Sequence, residues 1–554
     1  LLWELGFNVR ISHKTNKKII NKGIEKVLSE ACFPLKVAYG HIADLAENGV
    51  DLIFLPSFIN LNLHDEYERG LVCPLVQTIP YVSRKLFSET KILIPRIDFS
   101  RGLDYLKKEL CQTFKGIINI KNIDEKIAIA GEKQKEFLNS LKKEGLKFLE
   151  TAKDKSLGQQ ATVIIIGRSY NSFDQAVSLD ISGKLTRLNV LPIPMDMLPF
   201  EKIHIKDDWK NLYWRSGQRI IRASKFLHKL DEVYPIFITN FSCGPDSFII
   251  NYFKEEMAQK PYLILEIDEH SADAGVVTRL EAFIDSIKGR EEKYSANVFI
   301  PVSIKSSDLS KRTIYIPRMS DHAFALKASF NYCGIEAEVM PVSDKESIEL
   351  SRKYVGGGEC FPYVVTLGDM LKVVFSKDFD PDKTAFFMPS GAGPCRFGQY
   401  NVSHRMILKK LGFDNVPVYS PQQDAQFYKD LNIAGGEFSL RAWQGVVAYG
   451  LLTKLLLQTR PYEKNKDETE SLYESYLVKI YNALKSRNGN IEDLMNNMKR
   501  DFQNIPKYKD KKPLIGIVGE IFVRSNSFSN ENLTKRLESL GAEVYLTPIE
   551  EWIH

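Results

Sequence analysis

At 554 residues the chain is three to four times the length of a typical domain of about 150 residues, which excludes a single small module. Hydrophobic residues make up 44% and charged ones 26%, and 75 Lys+Arg against 70 Asp+Glu leave +5, too balanced for a dedicated nucleic-acid binder. The longest apolar runs, such as Val163–Ile166 and Leu455–Leu457, fall far short of the roughly 20 residues that cross a bilayer, and no cationic-apolar signal segment opens the chain. A soluble, cytoplasmic protein with no nucleic-acid or membrane partner is expected.

Leu1-Leu2-Trp3-Glu4-Leu5-Gly6 reads as the last turns of an amphipathic helix entering a strand, and without an initiator Met the start is expected to be a cut. Short β-branched runs then alternate with longer helical stretches. Strands are predicted at Leu52–Leu55, Ile92–Pro95, Val163–Ile166, Ile236–Thr239 and Leu263–Ile267, then at Ile314–Ile316, Ala385–Met388, Val416–Tyr419, Ile515–Val518 and Val544–Leu546. Lys/Glu-rich helical stretches such as Glu125–Lys155 and Asp467–Asp501 read as solvated faces. Leu440–Leu457 has helical spacing and should pack in a core, while Lys288–Asn297 and Asn504–Lys512 are plausible linkers. The class is α/β, parallel sheets with crossover helices.

The chain is also written twice. A shift of 328 positions superposes Gly6 on Gly334, Cys32-Phe33-Pro34 on Cys360-Phe361-Pro362 and Gly40 on Gly368, with no gap. Phe54-Leu55-Pro56-Ser57 then matches Phe387-Met388-Pro389-Ser390, followed in turn by Cys73-Pro74 and Pro394-Cys395. Ile165-Ile166-Gly167-Arg168 matches Ile517-Val518-Gly519-Glu520, each running on to a proline, Pro194 or Pro548. This predicts a first α/β lobe of repeat 1 (1–118), a helical linker (119–160) and a second lobe (161–290). Repeat 2 follows with a first lobe (310–436), a helical segment (437–510) and an incomplete second lobe (511–554). The counterpart of Cys243 would fall beyond His554, so the end is expected to be a cut as well.

Seven cysteines, an odd number with no C-x-x-C pair, argue for a reducing compartment and against zinc ribbons or thioredoxin chemistry. Cys243 follows a predicted strand, and Cys73 and Cys395 lie in loops after one; the carboxyl ends of parallel strands are where ligands sit. Cys32 and Cys360 are each followed by Phe-Pro, taken to end a helical stretch and turn the thiol into a loop. Three soft thiolates from separate loops select iron–sulfur clusters, zinc or copper(I) over hard ions, and a cubane on three cysteines leaves one iron open. Cys111 and Cys333 have no counterpart in the other half and are taken as core residues.

These residues, with Asn-Phe-Ser-Cys-Gly-Pro-Asp-Ser-Phe at 240–248, Glu-Ile-Asp-Glu-His-Ser-Ala-Asp-Ala-Gly at 266–275, Gly-Gly-Gly-Glu-Cys-Phe-Pro at 356–362 and Gly-Pro-Cys-Arg-Phe-Gly-Gln-Tyr at 393–400, make the chain resemble the 2-hydroxyacyl-CoA dehydratase superfamily. More narrowly it resembles the long CoA-enzyme activase-related proteins, here without their activase region. The resemblance implies duplicated Rossmann-like or flavodoxin-like parallel-sheet lobes with helical insertions. It also implies 4Fe–4S clusters, separate or joined as a double cubane, held by Cys32, Cys73 and Cys243 in one set and by Cys360 and Cys395 in the other. It further implies low-potential electrons from an ATP-dependent activase domain or subunit, radical chemistry typical of anaerobic dehydratases or reductases, and an acyl-CoA as candidate substrate. The alternatives are a non-catalytic electron-transfer or regulatory module of the activase system and, more distantly, a cluster-free CoA-binding scaffold.

Glu266, Asp268, Glu269, His270 and Asp273 crowd the end of a predicted strand, with Arg279 following. His270 as proton donor and Arg279 as anion contact are candidate catalytic roles; the plainer reading is a junction where Ser271 or Asp273 caps a helix. Gly356-Gly357-Gly358 could form an anion nest or simply a flexible entry to Cys360. Arg168, Arg396 and Arg524 could balance cluster charge or meet a CoA phosphate, or serve in structural salt bridges. Neither G-x-x-x-x-G-K-[ST] nor G-x-G-x-x-G occurs, so direct nucleotide binding has little support. His41, His322 and His404 lack a partner at metal-ligand spacing.

Overall fold

The computed structural model describes residues 1–27, 29–62, 66–67, 69–152, 161–288, 311–421, 431 and 434–549. The chain forms two compact units, Leu1–Ile300 with Gly393–Arg396, and Pro301–Ala392 with Phe397–His554. Most of the predicted linker at 288–297 lies outside the described residues.

The first unit begins with a turn closed at Gly6 (φ +90°), where the N–H of Phe7 donates to Leu2 O (3.1 Å). A left-handed residue there lets the chain leave a helical turn, and glycine takes it without a Cβ clash. Helices α1 (Lys17–Lys26) and α2 (Phe33–Glu47) follow; the Asn16 side chain caps α1 by accepting from the N–H groups of Lys18 and Ile19. The pair cross in backbone contact, since a Cβ on Gly40 would stand 2.0 Å from Ile19 O and one on Gly23 1.9 Å from Lys36 O. Strands β1 (Ile53–Phe54) and β2 (Ser57–Asn60) continue one another across Pro56. They pair in parallel with β3 (Ile92–Leu93) and β4 (Arg96–Asp98), divided likewise at Pro95, around the crossover helix α3 (Pro74–Leu86). Helices α4 (Gly102–Thr113) and the long, largely exposed α5 (Ile123–Thr151) come next.

The rest of the unit is a four-stranded parallel sheet in the order β6-β5-β7-β8, from β5 (Ala161–Ile166), β6 (Val190–Pro194), β7 (Val233–Asn240) and β8 (Leu263–Ile267). Central β5 and β7 are covered on both faces, so they read as unbroken apolar runs rather than alternating ones. Val163 and Ile165 pack against α7 (Ile181–Arg187) and α10 (Asp273–Ile287). The other face meets α8 (Arg215–Leu227) and α9 (Asp246–Met257), where Phe237 contacts Phe253 with ring centroids 5.1 Å apart. Short α6 (Ser169–Phe173) follows β5 directly. Because the chain leaves β5 first to β6 on one side and then to β7 on the other, the carboxyl ends of β5 and β7 flank a topological switch point.

The second unit repeats that order as β10-β9-β11-β12, with β9 (Thr313–Ile316), β10 (Ala337–Val339), β11 (Thr384–Phe387) and β12 (Val418–Tyr419), all parallel. Its helices are α11 (Ala323–Tyr332), α12 (Lys345–Ser351), α13 (Phe361–Val374) and α14 (Tyr400–Lys410). Three helices, α15 (Phe438–Thr459), α16 (Glu468–Lys485) and α17 (Ile491–Asn504), form a separate core with Ala325 and Ala328 of α11. The stretch Asp467–Asp501 is therefore two helices, and the Asn490 side chain restarts the second by accepting from Asp493 N. A two-stranded parallel sheet, β13 (Leu514–Ile517) with β14 (Glu543–Leu546), closes the unit around α18 (Ile521–Ser525) and α19 (Leu533–Ser539).

The 328-residue shift is structural. Gly334 (φ +79°) ends α11 as Gly6 ends the first turn, with Ile335 N donating to Phe330 O. Asp344 caps α12 where Asn16 caps α1, and a Cβ on Gly368 would stand 1.8 Å from Ser347 O, the crossing made by Gly40 in the first half. No helix among the described residues is long and apolar enough to cross a membrane.

Candidate cysteine site

Cys32, Cys73 and Cys360 share one local geometry. Each is the N-cap of a helix (α2, α3 and α13), in extended backbone, with proline in the first two helical positions and no side-chain cap bond. The Phe-Pro pairs thus start helices rather than end them, because proline at the first turn gives up an N–H that has no intrahelical partner anyway. The thiol is left at the positive end of a helix, where a thiolate is favoured.

In the first unit the Cys32 thiol neighbours both Cys73 and Cys243. Burial pushes the Cys32 thiol up, a hydrogen bond from the Leu35 N–H pulls it down, and the neighbouring Cys73 raises it again. Cys243 sits just past the end of β7, beside Ser242 in the left-handed region (φ +61°). Burial lifts its pKa well above the usual thiol range; Arg168 lowers it, and Asp246 and Cys32 raise it. Arg168 leaves the end of β5 and its Nη1 lies 2.5 Å from Asp246 Oδ2, which also accepts from Thr239 Oγ1 (2.7 Å). Burial opposes the Arg168 charge, but Asp246 and the neighbouring Cys243 and Tyr170 outweigh it. The structural salt bridge expected of Arg168 is therefore present, and it stands at the switch point with two of the thiols in its field.

The other predicted residues are placed as follows. Cys360 Sγ lies 2.5 Å from the Tyr400 hydroxyl in the second unit. Exposed Cys395 belongs with the first unit, where its carbonyl accepts from the Tyr213 hydroxyl and Pro394 O accepts from Trp214 Nε1 (2.9 Å). Cys333, partly buried, packs against the second unit's core, whereas Cys111 is exposed on α4 and is not a core residue. The His270 ring is 85% exposed and the Arg279 guanidinium donates to Ile264 O, so neither faces an enclosed site. The residue capping α10 is Ala272, not Ser271 or Asp273; Ser271 Oγ instead closes a turn onto Asp268. The glycine nest is filled from within the chain, since the Glu359 carboxylate accepts from Gly356 N (3.0 Å) and Gly357 N (2.9 Å). By register Arg168 matches Glu520, which caps α18 by accepting from Val523 N.

Two features had no sequence signal. Lys36 of α2 pairs with Glu30 (3.1 Å) and with Glu269 at the end of β8, tying the Cys32 helix to the loop that carries His270. Asp246 is recognisable as Arg168's partner only once β5 and β7 are adjacent.

Residues 1–198 match the family model described as CoA enzyme activase uncharacterised domain. That span holds Cys32, Cys73 and Arg168 and ends before Cys243, so the likeness to activase-related proteins covers two of the three coupled thiols. No curated protein matches the chain. Among the described residues no group of three or more His, Cys, Asp or Glu side chains is placed to hold a metal ion. A single ion demands donors drawn to one point, whereas a cluster binds each thiolate at a different iron and takes them farther apart. Three half-buried thiols with a buried cation beside them are soft donors, which suit an iron–sulfur cluster, zinc or copper(I) over a hard ion.

Proposed function

We propose that this chain is an iron–sulfur component of a CoA-enzyme activase system, with Cys32, Cys73 and Cys243 as the cluster ligands of the first unit. The observation that carries the reading is the placement of Cys32, N-cap of α2, next to Cys73 on one side and next to Cys243, just past the end of β7 at the sheet switch point, on the other. As free groups they are costly there: burial disfavours the thiolates of Cys32 and Cys243, and like charges oppose one another. Deprotonation becomes favourable when a cationic cluster replaces the protons. A 4Fe–4S cluster held by Cys32, Cys73 and Cys243 would supply one-electron reduction there. Arg168, fixed by Asp246, offsets added negative charge without moving, and the N-termini of α2 and α3 do the same through their dipoles. Lys36 and Glu269 hold α2 in register with the loop after β8. Cys360 is proposed as a ligand of the second set, the electrons coming from an ATP-dependent activase and the reaction being reductive dehydration or a related reduction of an acyl-CoA.

The test is anaerobic purification with reconstitution, followed by iron and sulfide analysis and visible absorption. Cys32→Ser, Cys73→Ser and Cys243→Ser should each lose most of the first unit's iron, while Cys111→Ser and Cys333→Ser keep it. A reconstituted protein without iron, or a Cys243→Ser variant with its full iron complement, overturns the assignment.

A further inference from the structure

The second unit contains a cavity of about 380 Å³, and among the described residues no cysteine lines it. It lies at the carboxyl ends of parallel strands from two sheets: Arg318 and His322 follow β9, Ser343 follows β10, and Thr547 follows β14. Helix α15 and the segment after α18 complete its walls. Strand carboxyl ends are where α/β sheets bind ligands, and the volume suits a metabolite rather than a macromolecule.

Its charges do not balance. The lining carries Arg318, Lys454, Arg460, Arg524 and Lys535 against Asp321, Glu470 and Glu543. Arg318 is neutralised by Asp321 (2.8 Å), and Arg460 and Lys535 by Glu470 (2.6 and 3.2 Å) with Glu538 behind. Glu543 is engaged by the Tyr462 hydroxyl (2.7 Å). Lys454 and Arg524 have no ion pair among the described residues, and Arg524 Nε is buried with no hydrogen-bond partner there. An unpaired buried donor costs free energy unless a ligand meets it. His322 adds a second such atom: its Nδ1 is 3.0 Å from Ser320 Oγ, while Nε2 is buried without a partner among the described residues. Burial lowers its pKa to about 4, so the ring is neutral and offers Nε2 as a hydrogen-bonding group, not as a charge.

The internal repeat supplies an independent comparison. Where the first unit has Ser172 and Asp174, the second has Arg524 and Asn526. Thr15 donates to Asp174 in one; in the other Asn526 Nδ2 lies 3.3 Å from Ser343 Oγ and 3.2 Å from Arg318 O. At these two positions, both on the wall of the cavity, the second copy thus carries a cation and no anion.

We propose that this cavity binds a small organic dianion, its charged groups met by Arg524 and Lys454 and its polar body by His322 Nε2. Two probes separate the sources of that charge: glycerol 3-phosphate for a phosphate monoester and succinate for a dicarboxylate, with glycerol as the uncharged control. Titration of the full chain by calorimetry and thermal shift should give saturable binding of at least one dianion and none of glycerol. Arg524→Gln and Lys454→Gln should each weaken it about tenfold or more, as loss of a charged hydrogen bond does, while Arg524→Lys restores part of it. His322→Ala should weaken it less. Far-UV circular dichroism of each variant keeps loss of binding distinct from loss of fold. Failure of both dianions to bind at about 10 mM, or undiminished binding by folded Arg524→Gln and Lys454→Gln, overturns the proposal.

Discussion

The α1–α2 pair of the first unit and the α12–α13 pair of the second are the same structure with different chemistry inside. Both begin at a polar cap, Asn16 or Asp344, both cross at a glycine, and both present a cysteine N-cap at the second helix. Between the helices the first pair half-buries His41, held by Ser12 Oγ (2.9 Å) and Thr15 Oγ1 (3.0 Å). At the same register the second buries Asp369, held by Ser343 Oγ (2.7 Å) and Ser347 Oγ (2.6 Å). The backbone contact is what the two copies share, and the ionisable group beneath the cysteine helix is what they do not. Duplication kept the scaffold and changed the charge it encloses.

The shared part should be the least forgiving. A methyl group on Gly40 or Gly368 meets a backbone carbonyl at 2.0 or 1.8 Å, which no side-chain rotation relieves. Gly40→Ala and Gly368→Ala are each expected to cost more than about 3 kcal/mol, the upper range for overpacking, and to leave little folded protein in urea unfolding. Equal losses in both would bind the two copies to one packing rule, whereas tolerance in either copy would break the comparison there.

The next largest difference lies at the matched ends of β5 and β13. Removing the Arg168 guanidinium leaves Asp246 buried and uncompensated, so Arg168→Gln should destabilise by about 3–5 kcal/mol. Glu520 at the same register is only an exposed helix cap, and Glu520→Ala should cost about 1 kcal/mol. Thermal unfolding of the iron-free variants would measure both, and costs of equal size would mean that Arg168 is not the anchor of its switch point.

How far the sequence reveals this architecture follows from which interactions are local. The repeat was readable because glycines at a helix crossing and after a helix admit no substitute, so they persist at fixed spacing. Central strands such as β5 and β7 were readable from their apolar runs. Edge strand β6 was missed because Pro192 and Pro194 argue against a ladder; on an edge, a strand can carry proline where no partner lies beyond it. Edge strand β10, at three residues, carries too little pattern to detect. Three of the cysteines were placed by their loops, yet the helix starts at Cys32 and Cys360 were taken for helix ends, since Phe-Pro after a cysteine is compatible with either. What the sequence could not supply is pairing across distance: Arg168 with Asp246, Lys36 with Glu269, and the unbalanced charges of the cavity.

The enclosed groups themselves give the subtlest contrast, because they should tilt stability with pH in opposite directions. Burial raises the Asp369 pKa from 3.8 to about 6 in spite of its two serine donors. The folded chain then holds this proton more tightly than the unfolded chain. Its contribution is fully present below pH 3.8 and declines by up to about 3 kcal/mol as pH rises to 6. Burial lowers the His41 pKa below 6.5, against the pull of Asp174 and Asp44. The unfolded chain takes up that proton first, so the His41 contribution is lost as pH falls below 6.5. Asp369→Asn should therefore flatten the decline between pH 4 and 6 without touching the acid limb owed to His41, and His41→Asn should do the converse. Urea unfolding across pH 4–8, followed by the fluorescence of each unit's own tryptophans, resolves the two limbs. Trp209 and Trp214 report on the first unit and Trp443 on the second, so a shift in the wrong unit would show that the ionisable group is not what distinguishes the two copies.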